Sequence, residues 1–522
     1  MTRSGWYAAL TALLGGLAAG FAHPPFGLLP GLLGYALILL RIDSVTSRPL
    51  HAAFGLGWLA GLGYFGVSTW WIAEPFLVDE RTFGWMAPFA VVLMGGGLAL
   101  FWGVAAWVYR ALRPGGAWKV LVFAGVFAAA EWLRGHLATG FPWNLPGETW
   151  RAGTAPSQLA ALMGAYGLTW LTLAIAAAPA VLMLPVRRLE QFAAIAVAGL
   201  GLTGLYAAGG GRLAAGSQGP ANDRNAPVVR IVQANIDQKT KWKAENLDEV
   251  FTAYERLTRK PAATPPPIIV WPEGALPAVI DDLIAPASPY QARLRDMLAS
   301  GQTLLMGANR IEPTRAGGYL YFNTLIALRR EGSALTVVGV YDKHRLVPFG
   351  EFLPFGPLAT SLGLRSLAHM PEDFTAGPPP GPLTLPGLPS VQPLICYEAL
   401  FPALAATTPR PLWILNVSND AWFGAGSGPL QHLNIASYRA IEQGLPIIRA
   451  TPTGVSAVID AYGRIRPGAR LDLGAFGVID APLPKALSPT LYGRYGDLWL
   501  AGLLAISGLA AWRGRQRSRA PQ

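Results

Sequence analysis

Eight mostly apolar stretches, near 6–22, 27–41, 52–73, 86–110, 118–138, 158–184, 191–208 and 496–512, constrain this chain more than any other feature. A helix needs about 20 residues at 1.5 Å rise to cross a ~30 Å hydrocarbon layer, and most of these stretches reach that length. The stretch at 27–41 is short and reads as tilted or partly re-entrant. The first lacks the basic flank and small-residue cleavage site of a secretory signal, so it reads as a retained helix. The loops between stretches alternate in charge. Arg41 and Arg48, then Arg110, Arg113 and Lys119, then Arg187 and Arg188 lie in every second loop, and Arg513, Arg515, Arg517 and Arg519 in the tail. Of the intervening loops, HPPFG has no base and EPFLVDER at 74–81 is mostly acidic. Basic loops stay in the cytoplasm. The expectation is therefore a polytopic α-helical membrane domain of about eight spans, seven of them in 1–208. Both termini would be cytoplasmic, including a basic tail at 513–522, with the insert before the last helix (496–512) on the opposite side.

Residues 209–227 are rich in Gly, Ala, Ser and Asn and read as a flexible linker. Beyond it the pattern changes. Short apolar runs at 228–236, 266–273, 303–310, 324–330, 335–343, 390–396, 411–420 and 445–454 read as strands, with helix-like segments at 244–258 and 287–299 between them. Continuous apolar strands alternating with helices imply a layered α/β domain, over 228–485, whose sheets are covered on both faces. Only 14% of the chain is charged, and its net charge of +11 forms no long basic run interleaved with aromatics, which argues against nucleic acid. One cysteine in 522 residues excludes an intramolecular disulfide framework. The six histidines show no metal-ligand spacing, so no metal and no cofactor is expected.

Three reactive residues end apolar runs: Glu273 after IIVWP, Lys343 after VVGVYD, and Cys396 after VQPLI. Strand ends in layered α/β folds border crevices, where chemistry gathers. The segment after Cys396, YEALFPALAA, reads as a helix start, so backbone N–H groups such as that of Tyr397 and the helix dipole would favour a thiolate and bind an oxyanion. A thiol of pKa ~8.5 needs a base at neutral pH, a role for Glu273, while Lys343 offers charge to a developing oxyanion. Each residue has a plainer reading: a lone Cys after an apolar run is commonly inert core, and Glu and Lys at strand ends are commonly solvated. His344 and His432 offer a rival Cys–His pair, but His344 adjoins Lys343 and strand neighbours face opposite ways.

The motifs WPE around Glu273, YDKHRLVPFGE around Lys343 and CYE around Cys396 resemble the nitrilase (carbon–nitrogen hydrolase) superfamily over about 228–480. That resemblance implies an α-β-β-α sandwich and a catalytic Glu273–Lys343–Cys396 triad working through an acyl-enzyme. With the membrane stretches, EWLRGHLATGFPW (131–143), QANIDQKTKW (233–242), VPFGEFLP (347–354) and VSNDAWFG (417–424), the whole chain is similar to the apolipoprotein N-acyltransferase family. This second resemblance implies an inner-membrane enzyme with a periplasmic catalytic domain. Its donor would be a phospholipid, cleaved at the sn-1 ester, and its acceptor the α-amine of a diacylglyceryl-cysteine in an apolipoprotein. Glu351 and Glu398 would orient Lys343 and shape the site, and Trp242 and Tyr397 would guide the acyl chain or amine. A membrane-tethered amidase or nitrile hydrolase of the same superfamily is the alternative. The Pro/Gly-rich stretch at 354–390 is the candidate lid. Glu131 and Arg134, three apart on the fifth stretch, share a face and are expected to pair rather than remain uncompensated charges in hydrocarbon.

Overall fold

The computed structural model describes residues 3–217, 226–315, 317–354, 356 and 373–519. The chain divides into two compact units, one of Met1–Gly219, Gly426–Gln443 and Pro489–Gln522, the other of Pro220–Ala425 and Gly444–Ser488.

The first unit is helical. Among the described residues, four helical segments are long and apolar enough to cross a membrane: Pro49–Ser68, Glu80–Leu112, Pro156–Leu182 and Arg188–Gly216, with Gly5–Phe21 shorter. The expected helix at 27–41 is instead a 3-10 turn, Leu29–Leu33, followed by the helix Gly34–Ser44. Eleven residues reach about 16 Å, half of a hydrocarbon layer. The expected linker also requires correction. Residues 209–217 continue the helix Arg188–Ser217, and the rest of the linker, 218–225, lies outside the described residues. Gly209 there serves packing rather than flexibility: a Cβ on it would fall 1.8 Å from the carbonyl oxygen of Ala155. Glu131 and Arg134 pair as their spacing requires, with Nε of Arg134 donating to Oε2 of Glu131 at 2.9 Å and Trp102 Nε1 donating to Oε1 at 2.5 Å.

The second unit is built on two mixed sheets. The first has strands β1 (Val228–Gln233), β2 (Ile268–Trp271), β3 (Thr303–Pro313), β4 (Tyr319–Glu331), β5 (Ala334–Asp342) and β11 (Gly477–Pro482), in the order β11-β1-β2-β3-β4-β5. The second has β6 (Val391–Ile395), β7 (Trp413–Val417), β8 (Ile447–Ala450), β9 (Ser456–Ile459) and β10 (Ile465–Leu471), in the order β10-β9-β8-β7-β6. β1, β2 and β3 are mutually parallel, as are β6, β7 and β8. Alternation along the strands decides the layers. Ile268 and Val270 join Val391, Ile395, Trp413 and Leu415 in the core between the sheets. Ile269 and Trp271 face the other way, against Phe251, Tyr254 and Leu257 of the helix Leu247–Thr258 and Leu294 and Met297 of Pro289–Met297. Two differences from the expected α-β-β-α domain over 228–485 follow. The long helix after Cys396, Ser427–Gln443, groups with the first unit, so the second unit shows the layers α-β-β among its described residues. No helix begins at Cys396, where a 3-10 turn, Cys396–Leu400, leads into another, Pro402–Ala405. Of the expected lid, 354–390, residues 355 and 357–372 lie outside the described residues.

Candidate active site

Three strand ends carry the site. Lys343 directly follows β5 and Cys396 directly follows β6, one from each sheet. β2 stops at Trp271, and Pro272 carries the chain to Glu273. The backbone there lies so close to β3 that only glycine fits beside it: a Cβ on Gly307 would meet the Glu273 Cα at 2.4 Å. Cys396 has φ +49°, a left-handed conformation that an L-residue adopts at a cost of about 1–3 kcal/mol, as at other sites where a turn presents a reactive side chain.

Glu273 is held on both oxygens. Oε1 accepts from Asn323 Nδ2 at 2.7 Å and from Lys343 Nζ at 3.2 Å, and Oε2 accepts from the Asn419 backbone N–H at 2.6 Å. Lys343 Nζ also donates to Glu351 Oε1 at 2.9 Å, and Asn323 Nδ2 spans the two carboxylates with a second bond of 2.7 Å to Glu351. Glu351 closes its own loop by accepting from the Val347 N–H. Burial alone would lower the Lys343 ammonium, but the Glu273 and Glu351 carboxylates outweigh it and hold its pKa above the ordinary lysine value. Cys396 is 7% exposed. Burial pushes its thiol up and the Glu273 carboxylate pushes it further, against the opposing pull of Lys343. The thiol is therefore protonated in the free enzyme, and it reacts when a neighbour takes its proton. Iodoacetamide labelling of Cys396 at pH 7 is expected to be slower than that of an exposed thiol and to keep accelerating as the pH is raised through 9. A plateau reached below pH 8 would contradict this electrostatic reading.

Glu398 binds the two strand ends together. Its Oε1 accepts from Tyr341 Oη (2.9 Å) and from the N–H groups of His344 (2.8 Å) and Arg345 (3.1 Å), while Oε2 accepts from the Ile395 N–H (2.7 Å). One buried carboxylate thus fixes the segment after Lys343 against the residue before Cys396. Hydrogen bonds to a charged group contribute about 1.5–3 kcal/mol each. Glu398→Gln turns an amide N–H toward a donor. It is expected to lower kcat by about 10–100-fold with little change in KM, since the misplaced groups act at the reaction centre. A proportionate rise in KM at constant kcat would argue for a substrate contact instead.

The remaining expected residues are placed as follows. Tyr397 is buried, its ring edge-on to Phe401 at 5.1 Å. Trp242 is 43% exposed and packs over Gly274, beside Glu273. His344 Nδ1 faces the Gly377 carbonyl at 2.9 Å, so it carries a proton there and is no base at that nitrogen. His432 belongs to the first unit. Sequence reasoning missed Asn323, Asn419 and Lys241. None stands in a motif with a chemical signature, although Asn419 and Lys241 lie inside the stretches VSNDAWFG and QANIDQKTKW.

Known proteins are similar to this chain in both of its parts. Residues 228–488 match the carbon-nitrogen hydrolase family model, and 15–178 match the apolipoprotein N-acyltransferase N-terminal domain. An apolipoprotein N-acyltransferase of Caulobacter vibrioides is 56% identical over 98% of this chain and 95% of its own. Those of Bradyrhizobium diazoefficiens and Rhodopseudomonas palustris are each 38% identical, covering 99% and 96% of this chain and 97% and 94% of theirs. Among solved structures, an amidase from Nesterenkonia sp. covers 51% of this chain and 93% of its own at 20% identity and a TM-score of 0.32. Both family models and full-length relatives thus converge, and the chain belongs to the apolipoprotein N-acyltransferase family.

Proposed function

We propose that this protein moves the sn-1 acyl chain of a phospholipid to the α-amine of a diacylglyceryl-cysteine at the N-terminus of an apolipoprotein, through a thioester on Cys396. The observation that supports this most is the buried Glu273–Lys343–Glu351 network beside a single strained, protonated cysteine. In the first half, Glu273 takes the thiol proton while Sγ forms a bond to the ester carbonyl carbon. The carbonyl oxygen becomes an oxyanion. Two of the three Lys343 N–H groups are accounted for by Glu273 and Glu351, and the third is assigned to that oxyanion. The bond to the glycerol oxygen then breaks, Glu273 returns its proton to that oxygen, and a lysophospholipid departs. In the second half, the neutral amine attacks the thioester, Glu273 accepts its proton, the C–S bond breaks and the thiolate is reprotonated. No net charge or oxidation state changes. Glu398 and Glu351 act as positioning residues. Tyr397 and Trp242 line the approach of acyl chain or amine.

An acyl chain costs about 0.8 kcal/mol per CH₂ to draw into water, which favours a catalytic domain kept at the membrane surface. In this reading eight spans cross the inner membrane, the second made of the turn Leu29–Leu33 and the helix Gly34–Ser44 together, with seven before the catalytic domain and one after it, both termini cytoplasmic and the catalytic domain periplasmic. The alternation of basic and non-basic loops supports that orientation. The test of the acceptor is to give the purified enzyme radiolabelled phospholipid with a diacylated lipopeptide. Label on the lipopeptide α-amine is expected. Release of labelled fatty acid at the same rate with or without the lipopeptide would indicate a hydrolase instead.

A further inference from the structure

Next to Glu273 lies a group of polar atoms that the steps above leave unused. Lys241 is 1% exposed, and its Nζ has no hydrogen-bond partner among the described residues. It lies 5.1 Å from the centroid of the Trp242 ring and 3.9 Å from where a Cβ on Gly274 would stand. Gln238, one helical turn earlier, presents an unpartnered Nε2 and accepts on Oε1 from Asn419 Nδ2 at 3.2 Å. Asn419 in turn leaves Oδ1 unpartnered, while its backbone N–H holds Glu273. Three side chains from two segments, the turn of helix Gln238–Lys241 and the segment at Asn419, thus converge beside Glu273 with a cation, an amide donor and an amide acceptor unsatisfied. A buried polar group without a partner costs about 1–3 kcal/mol, more when charged, and such groups in a native protein commonly await a ligand.

The reaction says which ligand. When Glu273 returns its proton to the departing glycerol oxygen, that oxygen must come within hydrogen-bond reach of the carboxyl. The phosphate of a phospholipid is one glycerol backbone away from that oxygen, so it falls in the immediate surroundings of Glu273. Lys343 is occupied there by two carboxylates, whereas Lys241 is not. We propose that Lys241, with Gln238, forms the phosphate-binding subsite for the acyl donor and selects phosphodiester lipids over neutral esters. This inference rests on the phospholipid-donor reading above. Burial lowers the Lys241 ammonium to about 8, with the Glu273 carboxylate pulling the other way, so at neutral pH most of it is charged and able to bind an anion. Its burial strengthens that contact, because the phosphate sheds water where the field is least screened.

The test follows acyl-thioester formation on the full-length enzyme in detergent micelles with two donors, phosphatidylethanolamine and p-nitrophenyl palmitate, which has an ester but no phosphate. Lys241→Met is expected to lower the phospholipid-to-palmitate rate ratio by about 10-fold or more, the scale of one charge-assisted hydrogen bond, and Lys241→Arg to restore much of it. Equal losses with both donors would show that Lys241 only supports Glu273, and an unchanged ratio would likewise overturn the subsite. Failure of the wild-type enzyme to be acylated by phospholipid while palmitate acylates it would instead overturn the donor reading, and the subsite with it.

Discussion

Cys396→Ala is expected to reduce acyl transfer to a diacylated lipopeptide by about 10⁴-fold or more while leaving the protein folded. Without Sγ the covalent route disappears, and the amine must attack the phospholipid ester directly. That would demand donor and acceptor bound together, in a site that holds no thiol to carry the acyl chain between them. Lys343 and Glu273 would still stabilise charge and move protons, so a trace of activity above solution chemistry is expected rather than none. Folding is a separate matter. Alanine meets the same left-handed strain at φ +49° as cysteine does, and losing one buried sulfur opens a cavity worth about 1 kcal/mol. A small shift in melting temperature with near-total loss of transfer is the expected pair of results. Cys396→Ser is expected to be almost as inactive, because Glu273 is too weak a base to prepare an alcohol. A serine variant retaining a tenth of wild-type transfer would be incompatible with a thiol-specific step.

Lys343→Met is expected to damage both chemistry and fold. Glu273 and Glu351 each place an oxygen on the same Asn323 amide, and the Lys343 ammonium is the cation between them. Taking it away removes a charge-assisted donor from the oxyanion, a loss of about 10²–10³ in rate. It also leaves two buried carboxylates facing each other, and removing one partner of a buried ion pair costs about 3–5 kcal/mol. Denaturant unfolding curves, set beside transfer rates, check both parts. A variant as stable as wild type would mean that the two carboxylates are not held together by Lys343.

The features that placed the site in the sequence were the ends of apolar runs. IIVW and VQPLI are strands buried on both faces, and LTVVGVY is a partly exposed edge strand; a charged or thiol residue just past the end of each leaves the sheet there. The polar residues that hold the triad were not legible in this way. Asn323 lies inside β4 and Asn419 in a turn, and an asparagine at such positions has no pattern that distinguishes a carboxylate clamp from a capped turn. The linker was misread because Gly and Ala denote flexibility in water, whereas against a neighbouring helix they permit close approach, as Gly209 does with Ala155. Strands β9, β10 and β11 escaped notice because they are short or carry charged and glycine residues, as in IRPGARL. Residues 427–443 fall inside the expected bounds of the catalytic domain, but they form a helix whose Tyr438 and Ile441 pack with residues of the first unit, which sequence order does not reveal.

The most direct test of the central claim is peptide mass spectrometry of the full-length enzyme after exposure to phospholipid in the absence of any acceptor. The account predicts one acyl chain on the peptide containing Cys396, removed by hydroxylamine and discharged as an amide when a diacylated lipopeptide is added. Acyl mass on any other residue, or none on Cys396 while transfer proceeds at its normal rate, would contradict it.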